Sequence, residues 1–201
     1  MDYRDKNFDE YENYYELEID NFDELHKELE TTIFENIFIE ENTVHFFGNL
    51  DSTNPFNNLT NITKFREKLQ LPLDTKFMVN CITENESTRP HIDNSDNPWA
   101  ILFPIKNTKN TRLEFYVSST PPVLQTYTNS LSEQRTVWVV NSDNLTVTDS
   151  IELSRPTIIN NQRIHNAINP NNTVRWSVAL VCAGLGWDPM LAKDYFYKPS
   201  V

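Results

Sequence analysis

The chain has 201 residues, of which 38% are hydrophobic and 12% aromatic, enough to fill one domain core and too apolar for a disordered segment. Its 17 basic and 29 acidic side chains give a formal net charge of −12 with no Lys/Arg cluster, which argues against a general nucleic-acid binder. Three glycines leave no room for a phosphate-cradling loop, two cysteines are too few for a disulfide scaffold or zinc finger, and no apolar run reaches the ~18 residues of a membrane helix.

Residues 1–20, dominated by Asp, Glu, Asn and Tyr, read as an acidic arm, solvated or loosely docked. The opening MDYRDKNFDEYENYYE has no basic-then-apolar signal pattern, so a cytoplasmic location with reduced thiols at Cys81 and Cys182 is expected. The Asn-x-Ser/Thr matches, such as Asn58, are then chance occurrences in a chain with 25 asparagines. From Asn21 to Phe38 an Asn cap, acidic residues in the first turn, and Phe22, Leu25, Leu29, Ile33 and Phe34 at spacings of three to four predict an amphipathic helix. A short strand follows over Thr43–Leu50, then a polar loop over Asp51–Asn58. A second short helix is expected from Asn61 to Leu69, with Ile62, Phe65 and Leu69 on one face. Residues 21–75 are thus expected to form a helical N-terminal support.

From Lys76 the helical patterning stops. Strands are predicted at Lys76–Thr83, Trp99–Lys106, Arg112–Val117, Thr136–Asn141, Leu145–Leu153, Thr157–Asn160, Arg163–Ile168 and Val174–Cys182. Short strands without intervening helices indicate a β sandwich, barrel or jelly roll over residues 76–201, not a parallel α/β sheet. The fold expected is mainly β with N-terminal helices.

Two of the four histidines stand where they can do chemistry. His91 and Asp93, in STRPHIDNSDNPW, are two residues apart and in extended chain point to one side. His165 comes 72 residues after Asp93, on a late strand. Two imidazoles and one carboxylate on a single face of a metal leave the opposite positions open, as non-haem Fe(II) oxygenases require for O2 and a cosubstrate. Ten residues past His165, Arg175 and Ser177 share a strand face in VRWSVALVC. An arginine in an apolar strand is costly unless an anion answers it, so this pair suits a ligand carboxylate. Trp176 points the other way and should pack outside the site. Trp99 and Trp138 read as core or pocket-wall aromatics.

The ordered set His-x-Asp, a distal His and Arg-x-Ser resembles the 2-oxoglutarate- and Fe(II)-dependent dioxygenases over roughly residues 76–184. WAILFPIKN after the first motif and PTIINNQRIHNAIN before Arg175 also look like strands of that family. The resemblance implies a double-stranded β-helix (jelly-roll, cupin-like) core, with Fe(II) held by His91, Asp93 and His165. It also implies 2-oxoglutarate paired with Arg175 and hydrogen-bonded by Ser177, with Asn80 as a further polar contact. The implied reaction consumes O2, converts 2-oxoglutarate to succinate and CO2, and hydroxylates a C–H bond of a prime substrate. A peptide side chain or a small molecule is expected as that substrate before a nucleic acid, with Asn94–Pro98 and Ser118–Arg135 as loops flanking the mouth. The chain lacks the turn glycines of many members, and asparagine is expected to take their left-handed positions. Two other readings fit the same residues: a non-catalytic jelly-roll binding or structural module, and a cupin-type metalloenzyme that does not use 2-oxoglutarate.

Overall fold

A computed structural model describes residues 13–36, 44–47, 54–72, 75–93, 99–128, 134–182 and 187–196. The N-terminal part runs through strand β1 (Tyr14–Glu16), helix α1 (Phe22–Asn36), strand β2 (Val44–Phe47) and helix α2 (Thr60–Lys68). Helix α1 has Asp23 and Glu24 in its first turn, where carboxylates favour the helix dipole, and it buries Leu25, Leu29 and Ile33 along one stripe. Phe34, expected on that stripe, is 44% exposed and lies edge-on to Trp176 at 5.2 Å between ring centroids. Helix α2 starts at Leu59, which offers no side-chain cap. Glu28 of α1 does that work: its carboxylate accepts from Asn61 N at 2.9 Å, Asn61 Nδ2 at 2.9 Å and Ile62 N at 3.3 Å. The two helices are thereby tied into one layer.

The remaining strands are β3 (Lys76–Ile82), β4 (Glu86–Ser87), β5 (His91–Ile92), β6 (Trp99–Lys106), β7 (Arg112–Ser118), β8 (Val123–Thr128), β9 (Gln134–Val139), β10 (Leu145–Glu152), β11 (Thr157–Asn160), β12 (Ile164–Asn169) and β13 (Arg175–Cys182). They form a six-stranded sheet in the order β1-β11-β6-β13-β3-β2. A seven-stranded sheet has the order β10-β7-β12-β5-β9-β8, with β4 added on β12. Every named pairing is antiparallel. Ala100, Leu102, Ile159, Ala179 and Val181 of the first sheet meet Leu113, Phe115 and Ile151 of the second in one buried cluster, so the sheets pack face to face. The other face of the first sheet, with Phe77, Val79, Ile101, Phe103, Val178 and Leu180, packs on α1 and α2. Burial on both faces explains why WAILFPIK and RWSVALVC read as continuous apolar runs. This is the jelly roll expected, with helices covering one of its sheets.

Several expectations change. The segment read as a loosely docked acidic arm is described from Asn13, and there it is strand β1, paired with β11 from Tyr14↔Ile159 to Glu16↔Thr157. Leu17 behind it is 1% exposed. The tyrosines, asparagine and glutamates around Leu17 hide this, because one apolar anchor among acids carries no periodicity. The stretch 118–135, read as a loop, contains β8 and the start of β9, zipped from Val123↔Val139 to Thr128↔Gln134. The Pro121–Pro122 pair masks a run of strand-forming residues behind it. Phe56, in the expected polar loop, is fully buried and stacked on Phe77 at 4.6 Å. The other mouth loop expected, 94–98, the end of the first helix at 37–38, and the flanks of β2 lie outside the described residues.

Candidate metal centre

The second sheet brings His91, Asp93 and His165 together. Strand β5 pairs with β12 through His91↔His165, and directly opposite residues share a face. On its other side β12 pairs with β7, setting Phe115 opposite His165 on the inner face. A two-residue strand has little hold of its own, and its neighbours pin it: Val140 N–H donates to Pro90 O at 3.4 Å and Asp93 N–H to Asn161 O at 3.1 Å. One ligand atom from each of the three residues lies within 4.8 Å of the others. His91 Nε2 stands 3.3 Å from Asp93 Oδ1, and the two imidazole rings are 4.6 Å apart.

Both imidazoles are oriented by the same local device. His91 Nδ1 is 2.6 Å from Arg89 O, and His165 Nδ1 is 2.9 Å from Arg163 O, in each case the carbonyl two residues earlier. A carbonyl can only accept, so each Nδ1 carries a proton; His165 Nε2 presents its lone pair to the shared space, and His91 Nε2 shares with Asp93 a proton that a metal would displace. Burial and the neighbouring His91 charge push His165 down to about 4, so it is neutral at pH 7. Burial works against the charged forms of His91 and Asp93, but their hydrogen bond and mutual charge outweigh it. They leave His91 raised and Asp93 below the ordinary carboxylate range. A carboxylate and two imidazole nitrogens with fixed tautomers are the donor set a divalent first-row metal such as iron takes, and the residues therefore fit Fe(II).

The first sheet supplies the facing wall. Arg175 and Ser177 stand on the face of β13 that continues into Ala179 and Val181, within the inter-sheet core. Ser177 pairs with Asn80 across β3 and with Pro104 across β6, which puts Asn80 on the same face. The sequence-predicted polar trio and the metal-ligand trio thus line one interior from opposite sheets. Arg175 is 2% exposed, and its Nε and Nη1 have no hydrogen-bond partner among the described residues. Burial lowers its pKa to about 10, so it remains a cation at neutral pH. An uncompensated buried cation costs several kcal/mol (about 3–5 in cases where a partner was removed), and a bound anion relieves that cost. Trp176 lies on the opposite face, as expected, and Trp99 belongs to the core under the helices. Cys81 and Cys182 are buried thiols, not joined in a disulfide. Sequence reading missed Phe115, whose ring lies 6.2 Å from His165, because its place opposite the histidine follows from strand register alone.

No protein-family model and no curated protein matches the sequence. Among solved structures, the chain is similar to the non-heme alpha-ketoglutarate-dependent carbocyclase SnoK from nogalamycin biosynthesis at 10% identity and a TM-score of 0.50, covering 88% of this chain and 82% of that one. A Pseudomonas putida prolyl-4-hydroxylase matches at 10% identity and a TM-score of 0.46, over 88% of this chain and 95% of that one. The oxalate decarboxylase of Bacillus subtilis matches at 9% identity and a TM-score of 0.36, over 77% of this chain. This chain spans only 29% of that decarboxylase's length. At such identities the likeness is one of fold alone, a jelly roll.

Proposed function

We propose that the protein is an Fe(II)- and 2-oxoglutarate-dependent oxygenase that hydroxylates a C–H bond of a prime substrate. The observation that carries this reading is Arg175: a buried guanidinium whose Nε and Nη1 have no hydrogen-bond partner among the described residues, on the wall facing a His-Asp-His cluster. A metal cluster alone would suit many metalloenzymes. A metal cluster facing an unanswered cation suits a cosubstrate that chelates at one end and carries a carboxylate at the other.

His91 Nε2, His165 Nε2 and an Asp93 oxygen would hold the metal, and the carbonyls of Arg89 and Arg163 keep both rings aimed. Bound Fe(II) supplies the redox chemistry that activates O2, using electrons from the oxidative decarboxylation of the cosubstrate. Arg175 pairs with the far carboxylate of 2-oxoglutarate through charge-assisted hydrogen bonds, and Ser177 and Asn80 add neutral ones. Phe115, Leu113 and Ala179 around this space keep it dry, which strengthens the Arg175 pairing. Overall, R–H, 2-oxoglutarate and O2 become R–OH, succinate and CO2, so one oxygen atom enters each oxidised product.

Purified protein given Fe(II), ascorbate and labelled 2-oxoglutarate should bind the cosubstrate and release succinate slowly even without a prime substrate. Absence of both would remove the reading. Metal bound at the cluster but indifferent to 2-oxoglutarate would leave a metalloenzyme of another type.

A further inference from the structure

The inner face of the second sheet carries one unbroken row of directly opposed residues: Phe115 of β7, His165 of β12, His91 of β5, Val139 of β9 and Val123 of β8. Burial falls along that row. Phe115 is fully buried and His165 is 6% exposed, the His91 side chain is 21% exposed, Val139 is partly exposed and Val123 is 61% exposed. Asp93, beside His91, has 31% of its side chain exposed. The interior is thus closed at Phe115 and opens towards β9 and β8, with His91, Asp93 and His165 at the boundary. The buried cluster that joins the two sheets holds no residue of β8 or β9, and Val123 meets solvent although it stands on the inner face. Alternation puts Val137 and Gln125, a further opposed pair, on this same face. A strand spacing of about 4.8 Å sets Val139 about 5 Å and Val123 about 10 Å from His91 across the sheet. Beyond them the first charged residue on the face is Arg135, four residues from Val139 and so about 13 Å along the strand.

We propose that Val139, Val137 and Val123 form the floor on which the prime substrate rests, and that the substrate lays an uncharged aliphatic or aromatic group there, next to the C–H bond that is oxidised; this rests on the oxygenase reading and adds the substrate class. Access argues for the place. A prime substrate must reach the shared space of His91, Asp93 and His165 without displacing core side chains, and the row is open on the valine side and shut at Phe115. The facing wall, with Arg175, is taken by the cosubstrate in the same reading. The chemistry of the floor argues for the class. Three valines offer neither charge nor hydrogen bond, so a charged group laid over them gives up water for nothing, whereas hydrocarbon gains by leaving water. Single exposed apolar residues are ordinary on any surface, but three on one face that runs into a metal-ligand pair match the apolar lining of ligand sites. Gln125, beside Val137, puts one hydrogen-bonding group at the rim, where a polar part of the substrate can meet it. Valine is also stiff at χ1, so the floor has a fixed shape before anything binds.

The experiment is saturation-transfer NMR on the metal-free protein without 2-oxoglutarate. N-acetyl-leucinamide, N-acetyl-phenylalaninamide, cyclohexanol and indole serve as apolar probes, N-acetyl-lysinamide and the amide of N-acetylglutamate as charged ones. The apolar probes should bind about tenfold more tightly than the charged ones or better. Either apolar pair in the lead supports the floor, and which pair leads tells a peptide side chain from a free small molecule. V123D and V123K, at an exposed and therefore tolerant position, should each weaken the apolar probes by about tenfold, and V123I should not, with an unchanged melting temperature as the folding control. Mn(II), its binding followed by electron paramagnetic resonance, should then broaden the resonances of the bound probes, placing them beside the ligand cluster. Charged probes binding as tightly as apolar ones, no binding by any probe, wild-type affinities in both V123D and V123K, or probe resonances indifferent to bound Mn(II) would each overturn the assignment. Because the first measurement needs neither metal nor cosubstrate, a missing succinate signal would count against the oxygenase reading and leave the floor standing.

Discussion

In its proposed role as cosubstrate clamp, Arg175 would be worth more to function than to stability. In the apo protein it is a buried cation whose Nε and Nη1 find no partner among the described residues. Replacing it with an apolar side chain of similar length removes the desolvation cost. R175M should therefore stabilise the apo protein by about 1–3 kcal/mol in urea unfolding while weakening 2-oxoglutarate binding by about tenfold to a hundredfold. A loss of stability in R175M would mean that the guanidinium has a structural partner. Period-two spacing in the sequence pairs His91 with Asp93 and Arg175 with Ser177, whereas His165 joins the first pair only through the resemblance and the β5–β12 register. The devices that aim the imidazoles were not legible in the sequence: every residue has a carbonyl like those of Arg89 and Arg163, and only backbone geometry shows which carbonyl a ring meets. The metal set has its own test. H165A and D93N should each abolish binding of Mn(II), followed by its electron paramagnetic resonance signal; retention of tight binding by either variant would dissolve the cluster as a metal site.

At the scale of elements, legibility followed length and burial. Helix α1 and strands β6 and β13 were read to within a few residues because their apolar patterns are long, and the four-residue β11 because it is buried throughout. Strands β1, β4 and β5, of two or three residues, owe their form to partners far along the chain and carry almost no pattern of their own. The scarcity of glycine had a readable consequence: Asn85, Asn107 and Asn110 hold φ of 57, 55 and 63°, left-handed positions in tight turns. Their neighbour Asn169 goes further, donating from Nδ2 to Ile82 O, Thr83 O and Thr173 O and so tying three loop carbonyls at one end of the sandwich. Helix α2 depends on a contact no sequence rule would find, the carboxylate of Glu28, 33 residues before the amide it caps. E28A removes that acceptor and should lower stability by about 1–2 kcal/mol, read as a lower melting temperature, with 2-oxoglutarate binding unchanged. An unchanged melting temperature would show that water caps the helix equally well.

Across the whole molecule the two sheets divide the labour. The first, buried on both faces, is the rigid wall that holds Arg175, Ser177 and Asn80. The second carries the candidate metal ligands on its inner face, two of them at the short strand β5, so its geometry there depends on whatever joins β5 to β12. That junction makes stability sensitive to pH. His165 stands at about 4 in the folded protein against 6.5 for an exposed histidine, so between those values the unfolded chain takes up a proton that the native state refuses. Its contribution is therefore fully present above about 6.5 and is lost as pH falls towards 4. His91 acts oppositely: raised by Asp93, it supports the fold in acid and gives that support up as pH rises through its folded value. The two can be separated with H165Q, which keeps His91 and removes the depressed group. Wild type should lose stability relative to H165Q by up to about 1.4 kcal/mol for each pH unit below 6.5, levelling near 4, in urea titrations of the metal-free proteins. Parallel pH profiles for the two proteins would mean that His165 is not held neutral by its surroundings, and the lone pair offered to a metal would lose its physical basis.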